Sequence, residues 1–122
     1  MRVLIVDDSR AIRRIISEIM KQIGFEVSEA SNGLEALRRL DEQGAPDLVL
    51  VDWNMPHMNG LDLIKAIRAN PNFTDLPLMM VTTVTEMERM AQALMAGVND
   101  YVIKPFDKAA IVDKLQLLGI AV

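Results

Sequence analysis

The chain has 122 residues, 51% of them hydrophobic, which is enough for one compact domain with its own core. It contains no cysteine, so it has neither a disulfide framework nor a thiolate metal site. Its first apolar run, VLIV, is far too short for a signal peptide or a membrane span. A formal charge of -4 argues against a nucleic-acid partner, because nucleic-acid-binding surfaces are basic. We therefore expect a cytoplasmic protein that neither binds nucleic acid nor inserts into a membrane.

Short apolar runs alternate with amphipathic stretches along the chain, a pattern typical of alternating strands and helices. The run VLIV is predicted to be the first strand, and the helix after it has Ser9 as its amino-terminal cap and Gly24 at its end. A strand within FEVSEAS and a helix within GLEALRRLDEQG follow. The next run, DLVLVD, is apolar on both faces, which predicts a buried parallel strand.

The second half of the chain continues this alternation. A helix around LDLIKAIRAN follows Asn59 and Gly60 and ends before Pro71. After it come a strand within LPLMMVT, a helix around TEMERMAQALMAG, a strand within DYVIKPF and a last helix around KAAIVDKLQLL. Five strand-helix units without a long spacer predict a single doubly wound α/β domain with a parallel sheet, spanning residues 1–122.

Polar residues close four of the predicted strands. Asp7 and Asp8 follow VLIV, Asp52 follows DLVLV, Thr82 follows LMMV, and Lys104 follows DYVI. Because the carboxyl ends of parallel strands share one edge of the sheet, these side chains are expected to meet in one crevice. Three carboxylates, a hydroxyl and an ammonium group together predict a site for a divalent cation and a phosphoryl group.

The three carboxylates of Asp7, Asp8 and Asp52 suit Mg²⁺, which prefers oxygen ligands and takes one or two carboxylates beside a phosphate. Without a cation they would repel, by roughly 4 kcal/mol for a pair about 4 Å apart at an effective dielectric near 20. The alternative is that Asp7 and Asp8 merely open a loop and help to cap the helix at Ser9. The third carboxylate, at the end of another buried strand, favours the metal site.

Asp52 is also a candidate nucleophile, because a carboxylate can accept a phosphoryl group covalently. Lys104 would neutralise charge at the reacting centre from the other side. Taken singly, Lys104 could be a solvated surface charge and Thr82 a helix cap, in competition with Thr85. Their common position at strand ends favours the site.

Four segments carry a resemblance to a known family: the DD pair, DWNMPHMNG, VTT and DYVIKPF. In order and spacing they resemble the receiver domain of two-component response regulators, and most of all the stand-alone, chemotaxis-type (CheY-like) receivers. The resemblance implies a flavodoxin-like sheet with strand order 2-1-3-4-5. It also implies a signalling phosphoacceptor in a phosphorelay, which is not an enzyme acting on separate substrates, with a sensor histidine kinase as phosphodonor.

The resemblance also implies a role for each matching residue. Asp52 would be the phosphoacceptor, and Asp8 and Asp52 would ligate Mg²⁺ directly. The backbone carbonyl of Asn54 would join them, and Asp7 would act through water.

For the switch, the resemblance implies that Thr82 and Lys104 contact phosphoryl oxygens and that the bond between Lys104 and Pro105 is cis. Tyr101 matches the aromatic residue that turns inward in this family when the threonine moves. Its alternative is an ordinary aromatic residue on an edge strand. Trp53, the only tryptophan, is expected to report metal or phosphoryl binding by its fluorescence.

The implied output surface is the face formed by the fourth helix, the fifth strand and the fifth helix, which would bind a downstream protein. The fourth helix carries Met87, Met90, Leu94 and Met95, more apolar positions than one core-facing stripe requires. We expect Tyr101 to belong to this surface. We expect Met90, with Met87, to be partly exposed for docking, since methionine adapts to irregular partner surfaces. The alternative is that both pack in the core. A monomer is expected.

Three other functions stay open. A Mg²⁺-dependent aspartyl-phosphate hydrolase of the haloacid dehalogenase type would need Asp-x-Asp after the first strand, where this chain has Ser9. A pseudo-receiver would be an interaction module that is not phosphorylated. The presence of all the acidic residues of the receiver pattern argues against it. A flavin binder would need a Ser/Thr/Gly-rich phosphate loop after the first strand, which is absent.

Overall fold

The computed structural model describes residues 1–53 and 55–122. In this part of the chain five strands alternate with five α-helices. The strands are β1 (Arg2–Val6), β2 (Glu26–Ala30), β3 (Leu48–Asp52), β4 (Leu78–Thr82) and β5 (Asp100–Ile103). The helices are α1 (Arg10–Ile23), α2 (Gly33–Gln43), α3 (Gly60–Ala69), α4 (Met90–Ala96) and α5 (Lys108–Leu117). None of the helices in the described residues is both long and apolar enough to cross a bilayer.

The strands form one parallel sheet in the order β2-β1-β3-β4-β5, which confirms the predicted fold class. In the centre of the sheet, Val6 of β1 is level with Val51 of β3. Asp52 of β3 is level with Val81 of β4, and Thr82 with Ile103 of β5. This register brings the polar residues that follow β1, β3, β4 and β5 to the same edge of the sheet.

The sheet separates two hydrophobic clusters, one on each face. The first lies under α2, α3 and α4, and the second under α1 and α5. Every position of β3 and β4 is buried, because helices cover both faces of these central strands. The apolar runs DLVLVD and LPLMMVT are therefore explained by packing on both sides.

The helix ends agree with the predicted caps. The Ser9 hydroxyl accepts a hydrogen bond of 3.2 Å from the Ile12 amide, and Gly24 ends α1 in a left-handed conformation with φ 119°. Asn59 caps α3 in the same way, through the amide of Asp62. The entry into α1 and α3 is thus fixed directly beside the ends of β1 and β3.

The fourth helix differs from its prediction. Residues Val84–Arg89 form a 3-10 segment, and the α-helix begins only at Met90. A 3-10 segment has about three residues per turn instead of 3.6, so it changes which side chains face the sheet. Met90 is only 4% exposed, inside the cluster under α2, α3 and α4, and Met87 packs against that cluster. The prediction that Met90 is exposed for docking is therefore wrong, whereas Met95 is 90% exposed.

Candidate functional site

The site lies at the carboxyl edge of the sheet, where three carboxylates meet. One oxygen from each of Asp7, Asp8 and Asp52 lies within 4.8 Å of the others. Asp7 and Asp52 are buried, and Asp8 is exposed. The structure thus brings together the acidic residues that the sequence placed at the ends of two separate strands.

Asp7 is held in place by the start of α1 and by β2. Its amide donates to the carbonyl of Ala30 over 3.1 Å, and its own carbonyl accepts from the Arg13 guanidinium over 2.7 Å. The Oδ1 atom of Asp7 accepts from the Ser9 amide over 2.9 Å. Asp7 thus positions the cap residue Ser9 with Oδ1 and contacts the ammonium group of Lys104 with Oδ2.

Lys104 joins two of the carboxylates. Its Nζ lies 3.0 Å from Oδ1 of Asp52 and 3.4 Å from Oδ2 of Asp7. Its amide donates to the carbonyl of Thr82, and the Lys104–Pro105 peptide bond is cis, as expected. The lysine is therefore not a freely solvated surface charge.

Burial dominates the electrostatics of Asp52. It raises the pKa of the Asp52 carboxyl from 3.8 to about 6, and the negative charge of Asp7 adds to this rise. The hydrogen bond from Lys104 opposes the rise but does not cancel it. At Lys104, burial disfavours the ammonium form, yet the hydrogen bond and charge of Asp52, with the charge of Asp7, raise its pKa above the ordinary value.

The donor set fits a small divalent cation. Carboxylate oxygens are hard ligands of the kind that Mg²⁺ selects, and exposed Asp8 leaves the cluster open on one side. A cation would neutralise the excess of three carboxylates over one ammonium group, so it would relieve their repulsion. Asn54, expected to supply a carbonyl ligand, lies outside the described residues.

Thr82 is fully buried beside this cluster and does not cap the segment that follows it. That role belongs to Thr83, whose amide and hydroxyl both donate to the Glu86 carboxylate. The Thr82 hydroxyl instead accepts from the indole N–H of Trp53 over 2.9 Å. Sequence reasoning missed this pair, although a tryptophan next to the proposed acceptor was a signal for it.

Tyr101 is partly buried against the cluster under α2, α3 and α4. The Lys114 ammonium lies 4.6 Å from the centre of its ring and 3.1 Å from Oδ1 of Asp100. This is cation–π geometry. The residue is thus placed between α5 and the core, near the start of β5.

The family model of the response regulator receiver domain matches residues 3–116 of this chain. The chain belongs to this receiver family. It is 43% identical over 119 residues to the chemotaxis protein CheY1 of Helicobacter pylori, covering 97% of this chain and 96% of that protein. It is 44% identical over 117 residues to chemotaxis protein CheY-3 of Vibrio cholerae, covering 95% and 89%.

Among solved structures, this receiver domain resembles chemotaxis protein CheY4 of Vibrio cholerae with a TM-score of 0.88 and 33% identity. The match covers 96% of this chain and 97% of that one. CheY-like receiver domains are signalling proteins, and they bind Mg²⁺ at an acidic pocket. The family match argues against the flavin-binding and phosphohydrolase alternatives, and this chain has an acidic cluster of Asp7, Asp8 and Asp52.

Proposed function

We propose that this receiver domain is a phosphorelay response regulator in which Asp52 accepts a phosphoryl group from a histidine kinase. The observation that carries the proposal is the position of the Asp52 carboxylate. It belongs to an acidic cluster fit for Mg²⁺, and its Oδ1 lies 3.0 Å from the ammonium group of Lys104. A nucleophilic carboxylate with positive charge on both sides can receive an anionic phosphoryl group.

In the transfer step, an oxygen of the Asp52 carboxylate attacks phosphorus and the P–N bond of the donor phosphohistidine breaks. The imidazole leaves with the bonding electron pair and then takes a proton. Lys104 stabilises the charge that gathers on the phosphoryl oxygens, and a bound Mg²⁺ supplies further positive charge there. Asp8 and Asp52, with the Asn54 carbonyl, are the direct ligands we propose, and Asp7 acts through water.

The phosphoryl group would then act as a switch. It adds a charge of about -1.5 to -2 and strong hydrogen-bond acceptors, which attract the Thr82 hydroxyl and the Lys104 ammonium. Movement of Thr82 would open space into which Tyr101 can turn. Such a switch needs a difference of only a few kcal/mol between two states.

The partner surface we propose is the face of α4, β5 and α5. In place of buried Met90, this face presents the exposed apolar side chains of Leu94, Met95 and Ile103. Met87 is only partly buried and stays a candidate contact at the edge of this face. A downstream protein with an apolar docking segment fits such a surface.

The names of the curated relatives support a role in chemotaxis or motility. We propose that residues 1–122 act as one cytoplasmic, monomeric receiver domain with Mg²⁺ as its cofactor. No partner beyond the kinase and the downstream protein is needed, neither nucleic acid nor membrane.

The test is a titration with beryllofluoride, which mimics the phosphoryl group, followed by Trp53 fluorescence with and without Mg²⁺. We expect a saturable change that requires Mg²⁺ and disappears in Asp52→Asn. The control is Asp41→Asn, which removes an exposed carboxylate of α2 and should respond like the parent. An equal response of parent and Asp52→Asn would contradict the proposal, and no response of the parent would favour a pseudo-receiver.

A further inference from the structure

A buried hydrogen bond connects the residue after the proposed acceptor to the proposed switch. Trp53 follows Asp52 directly, and its side chain is only 3% exposed. Its indole Nε1 donates to Oγ1 of Thr82 over 2.9 Å, and Thr82 has no exposed surface. The backbone of Trp53 is fixed as well, because its carbonyl accepts from the Gly60 amide over 2.8 Å.

The Thr82 hydroxyl has one proton and two lone pairs to share. One lone pair accepts from Trp53, and the proton is directed to the carbonyl of Thr83 over 3.3 Å. Among the described residues, neither of these two hydrogen bonds of the Thr82 hydroxyl connects it to Asp52 or Lys104. To donate to a phosphoryl oxygen on Asp52, the hydroxyl must therefore turn its proton away from Thr83.

We infer that Trp53 is a positioning residue of the switch, whose indole N–H holds the Thr82 hydroxyl in its resting orientation and loses it on phosphorylation. The inference rests on the proposed function, and it identifies a residue that stabilises the receiver domain before phosphorylation. In a buried site, an indole N–H that loses its acceptor is costly. The hydrogen bond therefore stabilises the resting state relative to the phosphorylated one.

Trp53→Phe tests the inference, because it keeps an aromatic ring in the buried site and removes the N–H donor. The substitution removes the hydrogen bond to Thr82 from the resting state, whereas the phosphorylated state does not contain this bond in either protein. Beryllofluoride should therefore bind about fivefold to tenfold more tightly, the effect of one ordinary hydrogen bond on an equilibrium. The affinity for Mg²⁺ alone should be unchanged, since the donor lies outside the carboxylate cluster.

Calorimetry at saturating Mg²⁺ measures these affinities without relying on the tryptophan. Equal or weaker binding of beryllofluoride to Trp53→Phe would overturn the inference. If the parent itself failed to bind beryllofluoride, the proposed function would fail instead, so the two failures are distinguishable.

Thr82→Ala supplies the matched background, because it removes the acceptor of the same hydrogen bond. In that background Trp53→Phe should leave the beryllofluoride affinity unchanged, so the effect of the tryptophan depends on the threonine. An equal effect in both backgrounds would mean that the ring acts through packing, and this would overturn the inference.

The parent protein offers a second measurement that needs no variant. Trp53 is the only tryptophan, so its indole N–H gives a single nitrogen-correlated proton resonance. With Mg²⁺ and beryllofluoride, this resonance should move away from its hydrogen-bonded position and the proton should exchange faster with solvent. A resonance that keeps its position and its protection would overturn the inference.

Discussion

At the scale of single residues, Asp52 combines burial with the nucleophilic role that we propose for it. Burial, with help from Asp7, raises its pKa in the folded protein from 3.8 to about 6. Protonation of Asp52 therefore stabilises the fold below about pH 4, and this stabilisation is lost as the pH rises through about 6. The rise corresponds to about 3 kcal/mol when the loss is complete.

Asp52→Asn should remove this pH dependence, because the amide resembles the protonated carboxyl and cannot ionise. In the absence of divalent cations, the free energy of unfolding of the variant should exceed that of the parent increasingly between pH 4 and pH 7. The excess should approach about 3 kcal/mol. Urea denaturation of both proteins at each pH measures it. A difference that stays constant with pH would contradict the raised pKa.

Asp8 is the exposed member of the cluster, so its role is testable through metal binding. Asp8→Ala should make the metal-free protein slightly more stable by removing repulsion, and it should abolish the stabilisation that Mg²⁺ gives. In the parent that stabilisation is about 2.7 kcal/mol at a Mg²⁺ concentration of 100 Kd. Thermal unfolding with and without Mg²⁺ measures both effects.

The matched control for this experiment is Asp41→Ala, an exposed carboxylate of α2 away from the site. It should respond to Mg²⁺ like the parent. Equal thermal shifts with Mg²⁺ in the parent and in Asp8→Ala would exclude Asp8 as a ligand.

The arrangement of the candidate site residues could be predicted from the sequence only in part. The strand-end positions of Asp7, Asp52 and Lys104 follow from the order of apolar runs, because the parallel sheet aligns their ends. The hydrogen bond from Trp53 to Thr82 could not be predicted, since it depends on the rotamers of two buried side chains, one directly after β3 and one at the end of β4. Local sequence does not determine such rotamers.

At the scale of elements, the first residue of α3 lies close to the last residue of β3. A Cβ atom at Gly60 would overlap with the carbonyl oxygen of Asp52. We therefore expect Gly60→Ala to lower the free energy of unfolding by about 1–3 kcal/mol, as overpacking does. Because the backbone of Asp52 would have to shift, binding of Mg²⁺ with beryllofluoride should weaken too.

Gly33→Ala is the control for that variant. A Cβ atom there would meet only the side chain of Met58, which is flexible and can move. Denaturation curves should show a smaller loss for Gly33→Ala than for Gly60→Ala. The reverse order would mean that the close approach of α3 to β3 is not a constraint on the fold.

At the amino-terminal edge of the sheet, Arg68 of α3 forms hydrogen bonds to the segment after α3 and to the segment between α4 and β5. Its guanidinium donates to the carbonyl of Gly97 over 2.9 Å, to that of Phe73 over 2.7 Å and to Oδ1 of Asn99 over 3.0 Å. Arg68→Lys keeps the charge but cannot serve three acceptors in different directions. We expect it to destabilise the protein by about 1–3 kcal/mol in urea denaturation.

Arg38→Lys on the exposed face of α2 is the matched control and should change stability little. A loss in Arg68→Lys no larger than in Arg38→Lys would show that these hydrogen bonds add nothing to stability. The Arg68 interactions illustrate what element prediction misses, because they join segments that are distant in sequence.

The helices and strands themselves were predictable to different degrees. The buried strands β3 and β4 and the caps of α1 and α3 follow from local composition. The segment before α4 did not, because Val84–Arg89 has 3-10 hydrogen bonding that its helical composition does not indicate. Within α4 itself, Met90 lies in the core and Met95 is exposed, because residues five apart point to different sides of an α-helix.

At the scale of the whole molecule, stability and function occupy different parts of one fold. Two hydrophobic clusters on either side of the sheet hold the strands, while the charged site lies at their carboxyl edge. The repulsion among the carboxylates there opposes folding until a cation or proton relieves it.

Covalent phosphorylation of Asp52 is the claim on which the proposed function depends. The most direct measurement begins with incubation of the protein with phosphoramidate and Mg²⁺. The mass of the intact protein then counts the phosphoryl groups, and chemical reduction of the aspartyl phosphate marks the modified residue for mapping. Phosphoramidate has the same kind of P–N bond as phosphohistidine. We predict one phosphoryl group per chain, at Asp52, formed only with Mg²⁺ and absent from Asp52→Asn. A phosphoryl group at another residue, or none on the parent protein, would contradict it.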